Sequence, residues 1–243
     1  MKPVIIMDVP VHPVMNINMH EQLDEMMAGP GVQSIMTPNP EMVMIAQKNK
    51  DLMYALRASD LVIPDGIGLI IASKIQNIGL RERVTGIDTM DKVLQICHEK
   101  QKSIFLLGGK PGRAERATEN ILNQYPGITS AGHYHGYFGE EENDKIIDMI
   151  NQQRPEVVFV CLGSPRQEIW IHKNRYRLNC KIVMGAGGSV DVYAGEVKRA
   201  PEVYQKIGLE WLYRLIQEPT RIKRMSVLPL FLWKSLWMSN RER

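Results

Sequence analysis

The chain has 243 residues, of which 44% are hydrophobic and 23% charged, with a formal net charge of +3. That length carries one large domain, or one domain plus an appendage, with a sizeable buried core. The charge is too weak overall to argue for a nucleic-acid partner, and three cysteines (Cys97, Cys161, Cys180) without a CxxC pair give no disulfide framework and point to a reducing compartment.

From the N-terminus, residues 4–7 form a short apolar run that reads as a strand and is too short for a signal peptide. Further β-branched runs at 34–37, 61–64, 104–107, 157–161 and 181–184 read as strands. Helical patterns lie between them at 40–48, 67–76, 89–99, 113–124, 143–152 and 167–174. The run Val157-Val158-Phe159-Val160-Cys161 has no polar alternation, as expected of a strand buried on both faces. Cys97 and Cys161 sit in apolar stretches and read as small core residues. The alternation predicts an α/β fold: a Rossmann-like, mainly parallel sheet with helices on both faces.

Five strands end in polar loops rich in Gly and Pro: Thr37-Pro38-Asn39-Pro40, Pro64-Asp65-Gly66-Ile67-Gly68, Gly108-Gly109-Lys110-Pro111-Gly112, Gly163-Ser164-Pro165-Arg166-Gln167 and Gly185-Ala186-Gly187-Gly188-Ser189. Open α/β sheets bind ligands outside the carboxyl ends of their strands, so five such loops are expected to build one concave site. Within them, Asp65 is a candidate general base, exposed by the two glycines that follow it, although Pro-Asp-Gly also suits a turn with Asp65 as a helix N-cap. Asn39 suits an N-cap before Pro40 at the first helical position, and Thr37 with Asn39 could hydrogen-bond a sugar. Arg83, beside Arg81 ahead of a helix, suits an anion site. Ser164 reads as a cap with Gln167 in the first turn, which leaves Arg166 unexplained. Gly108 and Gly109, and Gly187 in the last loop, could face a nucleotide through their backbone N–H groups, but none of these loops has P-loop or GxGxxG spacing. His133 and His135 share a face on an extended segment without a recognisable third ligand, and the chain has no Asp-x-Asp, so no metal or other cofactor is expected.

The pattern changes after Ala194. Residues 1–194 read as the catalytic domain and 195–243 as a helical appendage. From Pro219 onward six basic residues face one acidic residue. Arg214, Arg221 and Arg224 recur at helical spacing and could clamp a diphosphate as a lid over the cleft, or touch anionic lipid. Trp233 and Trp237, four apart, with Lys223 and Lys234 nearby, describe an interfacial helix on an anionic membrane surface. An ordinary core helix or a dimer contact is the competing reading, and a homo-oligomer in solution is a further expectation. The apolar run at 227–233 is far short of the ~20 residues that span a bilayer, so a cytoplasmic, peripheral protein is expected.

Six blocks in order resemble the WecG/TagA/CpsF glycosyltransferases (glycosyltransferase family 26). They are Thr37-Pro38-Asn39, Pro64-Asp65-Gly66, Arg83-Val84-Thr85-Gly86, Gly163-Ser164-Pro165-Arg166-Gln167-Glu168, Gly185-Ala186-Gly187-Gly188, and Ala194-Gly195 with Arg199-Ala200-Pro201. The resemblance implies a UDP-N-acetylmannosamine donor and an N-acetylglucosamine acceptor on undecaprenyl diphosphate. It also implies an inverting, metal-independent β-1,4 transfer in wall teichoic acid linkage-unit synthesis. Asp65 matches the family's general base, Thr37, Asn39, Arg83 and Gln167 match pocket positions, and the appendage with Arg214, Arg221 and Arg224 is expected to complete the site at the membrane. Relatives differ mainly in donor, so another UDP-hexosamine or a uronic acid donor remains open, as does a non-catalytic sugar-nucleotide binder.

Overall fold

The computed structural model describes residues 2–201, 204, 210–217 and 227–239. The chain opens with an antiparallel ribbon, β1 (Val4–Ile6) and β2 (Val9–Val11), followed by α1 (Asn16–Ala28). The main sheet and its helices follow as β3 (Gln33–Met36), α2 (Pro40–Ala46), α3 (Lys50–Arg57), β4 (Leu61–Val62), α4 (Ile67–Gln76), α5 (Gly86–Glu99), β5 (Ser103–Gly108), α6 (Arg113–Gln124), β6 (Thr129–Tyr134), α7 (Asn143–Gln153), β7 (Val157–Cys161), α8 (Arg166–Asn174), β8 (Ile182–Gly185) and α9 (Ser189–Tyr193). Two further helices, α10 (Glu210–Gln217) and α11 (Val227–Ser239), lie in the region expected to be an appendage.

Six strands form one parallel sheet in the order β4-β3-β8-β7-β5-β6. The expected α/β class and mainly parallel sheet are present. The first expected strand is the exception: it pairs with β2 in a separate ribbon instead of joining the sheet. Alternate residues of each central strand feed opposite cores. On β7, Val158 and Val160 face a cluster with Val43 of α2, Leu69 of α4, Ile147 of α7 and Ile171 of α8. Val157, Phe159 and Cys161 face Leu23 of α1, Leu94 of α5, Ile121 of α6 and Val190 of α9. Every residue of β7 is buried, which is why its sequence shows no polar alternation. The three cysteines are free and buried, and burial pushes their thiols up to about 12, so they are inert packing groups.

The helix α11 docks on α2 and α4. Phe231 is fully buried there, and Gln76 donates from Nε2 to the Ser235 carbonyl at 3.0 Å. Burying one Phe side chain contributes about 2–3 kcal/mol, which matters for a helix whose isolated stability is marginal at this length. Leu230, Trp233 and Trp237 face outward at 45%, 62% and 47% exposure.

Two glycines let α4 approach α2. A Cβ at Gly66 would stand 2.3 Å from Pro40 Cδ, and one at Gly68 would stand 2.7 Å from Pro40 Cγ and 2.5 Å from Leu228 Cδ1. The contact at Gly66 is with a rigid ring, so neither side can yield cheaply. Gly66→Ala is expected to cost about 1–3 kcal/mol by overpacking, read as a lowered midpoint in denaturant unfolding. An unchanged midpoint would mean that the two loops are not held at this spacing.

Candidate active site

The loops after β3 and β4 continue to pair beyond the strands. Ile63 N–H donates to Met36 O (2.8 Å), Asp65 N–H to Pro38 O (3.0 Å), and Val84 N–H to Pro64 O (3.2 Å). Asn39 accepts from Met42 N–H at 3.0 Å, capping α2 with Pro40 at its start, as its sequence context predicts. The extra rungs fix the backbone of Asp65 between the Thr37 loop and the Arg83 loop. Thr85 caps α5, accepting from Asp88 N–H at 3.1 Å, and Asp88 pairs with Arg199.

These loops and those after β7 and β8 enclose a cavity of about 280 Å³ at the carboxyl edge of the sheet. Of the predicted residues, Thr37, Asn39, Asp65, Arg83, Ser164, Gln167 and Gly187 line it. Asp65 is not a helix cap, because Gly66 occupies the N-cap position of α4. Its carboxylate is instead half-exposed to the cavity, 3.7 Å from Arg83 Nη2. Ser164 also does not cap: Pro165 holds that position in α8 and no side-chain cap bond forms.

Arg83 joins two acids. Its Nη2 lies 2.7 Å from Oε2 of Glu210, a residue of α10 that is only 2% exposed and itself lines the cavity. A buried Arg–Glu contact of this length is a strong charge-assisted hydrogen bond.

Gln167 is held at both ends. Its Oε1 accepts from Gly187 N–H at 3.1 Å, and its Nε2 donates to Glu168 Oε1 at 2.7 Å. Glu168 is fully buried. Burial pushes its carboxyl above the usual range, while the Gln167 amide, its own N–H and Ser164 pull the other way.

Three predicted residues lie outside the cavity, so four loops converge and not five. Gly108 packs against β7, where a Cβ would stand 2.3 Å from the Cys161 carbonyl oxygen. Gly109 N–H donates to the Cys161 carbonyl (3.1 Å), and the Gly109 carbonyl accepts from Gly136 N–H (2.8 Å). Their loop follows β5, one strand farther along the sheet than the four strands whose loops enclose the cavity. Arg166 donates to the carbonyls of Gly136 (2.6 Å) and Phe138 (2.7 Å) and stacks 4.5 Å over the Phe138 ring, which ties down the loop after β6. Arg214 falls within α10, but its side chain lies outside the described residues, as do Arg221, Lys223 and Arg224 altogether. Trp233, Lys234 and Trp237 lie on α11, away from the cavity lining. His133 is the penultimate residue of β6, and His135 follows the strand. Among the described residues no group of three metal-holding side chains forms.

Thr85, Gly86 and Glu168 stood in the blocks that carry the resemblance but were given no role, and Glu210 was missed. Thr85 was legible as a cap three residues before Asp88. Nothing in the sequence marked Glu210, which lies in a tail conspicuous for its cations.

A parallel sheet whose carboxyl-edge loops gather a carboxylate, an arginine and a fixed amide around one cavity defines an α/β protein with a polar-ligand site. The sequence profile of the glycosyl transferase WecG/TagA/CpsF family matches residues 4–243. The chain belongs to that family and is a glycosyltransferase. It is 38% identical over 197 residues (81% of this chain, 76% of the relative) to a Bacillus subtilis (strain 168) protein named N-acetylglucosaminyldiphosphoundecaprenol N-acetyl-beta-D-mannosaminyltransferase. It is 35% identical over 200 residues (82% and 78%) to a protein of the same name from Staphylococcus aureus (strain MRSA252).

The raised Glu168 carboxyl has a definite sign in stability. As pH rises through the ordinary carboxylate range, the unfolded chain releases this proton before the folded one does, so folding loses stability. Glutamine cannot titrate. The melting temperature of Glu168→Gln minus that of the wild type is therefore expected to become more positive from about pH 5 to about pH 8. A constant difference across that range would contradict the raised value.

Proposed function

We propose that this chain transfers N-acetylmannosamine from UDP-N-acetylmannosamine to the 4-hydroxyl of N-acetylglucosamine on undecaprenyl diphosphate. The reaction inverts the anomeric centre, forms a β-1,4 bond and belongs to wall teichoic acid linkage-unit synthesis. The observation that carries this reading is the Asp65 carboxylate in a cavity shared with Arg83. The names of the relatives support the choice of sugar and acceptor.

In this reading Asp65 takes the proton from the acceptor hydroxyl as that oxygen attacks the anomeric carbon and UDP leaves on the opposite face. One base suffices for a single displacement. Charge develops on the departing diphosphate, and Arg83 lies close enough to Asp65 to serve both groups. Helices α5 and α8 begin at the cavity, and their positive ends favour an anionic donor. We assign no metal or other cofactor to the reaction; arginine and helix ends would supply the positive charge. Arg214, Arg221 and Arg224 would add to it if the tail folds over the donor. The division into a catalytic domain (1–194) and an appendage (195–243) belongs to the same proposal, with Glu210 as the appendage's contribution to the cavity.

The acceptor is a lipid, so the enzyme must meet a membrane. Among the described residues no helix is long and apolar enough to cross one. The outward row of Leu230, Trp233 and Trp237 on α11, with Lys234 and the basic Lys223 region, suits a peripheral contact at the inner face of the cell membrane. A homo-oligomer formed through the same apolar row in solution is compatible with this.

Asp65→Asn is expected to lower kcat by roughly a hundred- to ten-thousandfold while UDP still binds at least as tightly as to the wild type. The check is product formation from a panel of UDP-sugars with a synthetic lipid-diphosphate acceptor. Unchanged turnover would remove Asp65 from the mechanism, and preference for another donor would reassign the sugar. For the membrane contact, Trp233→Gln combined with Lys234→Glu is expected to weaken partitioning onto anionic vesicles by about tenfold, since each basic group near such a surface is worth about 1 kcal/mol. Equal vesicle binding in a sedimentation assay would place the contact elsewhere.

A further inference from the structure

Glu168 has no part in the chemistry assigned above, yet it is a carboxyl group enclosed directly behind the cavity wall. It is fully buried, and its Oε2 makes no hydrogen bond. Among the described residues no cation pairs with it. Its Oε1 accepts from the Nε2 of Gln167 at 2.7 Å, and Gln167 lines the cavity while being only 4% exposed itself. The other end of the same amide is fixed by Gly187 N–H, which donates to Gln167 Oε1 at 3.1 Å. The seat is tight: a Cβ at Gly185 would stand 3.0 Å from Gln167 Nε2.

A glutamine amide has two N–H donors and an oxygen with two lone pairs. Gly187 N–H can only donate, so it demands the oxygen end. Glu168 Oε1 accepts, so it demands the nitrogen end. With both satisfied, Gln167 keeps one N–H and one lone pair, in an orientation whose flip would set its NH2 group against the Gly187 N–H. We propose that Glu168 is a positioning residue that locks the Gln167 amide, so that Gln167 presents one donor and one acceptor to the nucleotide-sugar donor. This rests on the transferase reading above. Glu168 acts in its neutral form, as a carboxylic acid whose carbonyl oxygen accepts from Gln167. A carboxylate would put a further negative charge behind a site that must receive a diphosphate, with no cation among the described residues to balance it. Burial favours the same neutral form.

The test uses the full chain and the variants Glu168→Met, Glu168→Gln, Gln167→Met and the double variant Gln167→Met with Glu168→Met. UDP affinity is measured by calorimetry and transfer to a lipid-diphosphate acceptor separately. Glu168→Met is expected to lose about tenfold in UDP affinity or in kcat/KM for the donor, the weight of one lost hydrogen bond. Glu168→Gln, whose amide oxygen can take the same bond, recovers most of that loss. The double variant loses no more than Gln167→Met alone, because Glu168 acts through Gln167. Losses that multiply in the double variant, or a Glu168→Met protein that binds and turns over like the wild type, would overturn the proposal.

If Glu168→Met does not fold, infrared spectroscopy decides. The wild type near neutral pH should show a protonated-carboxyl C=O band that is missing in Glu168→Gln, and its absence from the wild type would overturn the neutral positioning role. A wild type that binds UDP but transfers no N-acetylmannosamine would refute the transferase reading, while the affinities of the variants would still decide the role of Glu168.

Discussion

The site is organised around where the Arg83 guanidinium sits. It reaches from the loop before α5 to Glu210 on α10 at 2.7 Å and to Asp65 at 3.7 Å. At an effective dielectric near 20, two unit charges about 4 Å apart interact by about 4 kcal/mol. The contact with Glu210 is shorter and more enclosed, so it is the firmer of the two. The arrangement couples three parts of the chain that are far apart in sequence: the Asp65 loop, the Arg83 loop and the C-terminal region. In the proposed reaction, an incoming diphosphate would compete with both carboxylates for the same cation. In that reading the occupancy of Arg83 would link donor binding to the contact with α10.

The scaffold that allows this is made of backbone. The rungs at Ile63, Asp65 and Val84 prolong the sheet past β3 and β4, so the site loops carry the rigidity of the strands. The close approach of Pro40 to Gly66 and Gly68 then sets the spacing between the Thr37 and Asp65 loops. Glycine is needed at both positions because of what stands against it, and neither has a positive φ. The fixed Gln167 amide closes the opposite wall through Gly187. The result is a polar cavity whose donors and acceptors are set before a ligand arrives, the condition under which they contribute most to a transition state.

Much of this was legible in the sequence. The runs 157–161, 67–76 and 113–124 coincide with β7, α4 and α6, because a continuous β-branched run, a ten-residue apolar stretch opened by glycine and the strong 3.6-residue periodicity of 113–124 leave little choice. Residues 4–7 were legible as a strand, but its partner β2 was not, since three residues around a proline have too little pattern, and neither was α1, which carries its Met19 and Leu23 in a mostly polar sequence. For the site, Asn39 was readable as a cap and Asp65 as an exposed acid, both from local turn chemistry. Strand order was not readable, and that is why Gly108 and Gly109 were expected at the cavity: a Gly-rich loop after a strand looks alike whether its strand lies at the site or one place farther along the sheet. Arg166 followed the same logic, with its fork taken by two carbonyls of a neighbouring loop. Glu210 and Glu168 depend on long-range packing, which no local pattern encodes.

The most direct test of the account is a crystal structure of the full chain with UDP bound. The account predicts the diphosphate within hydrogen-bond reach of Arg83, in the cavity lined by Thr37, Asp65 and Gln167. UDP bound instead at the Gly108-Gly109 loop after β5, with the Asp65 cavity empty, would contradict it.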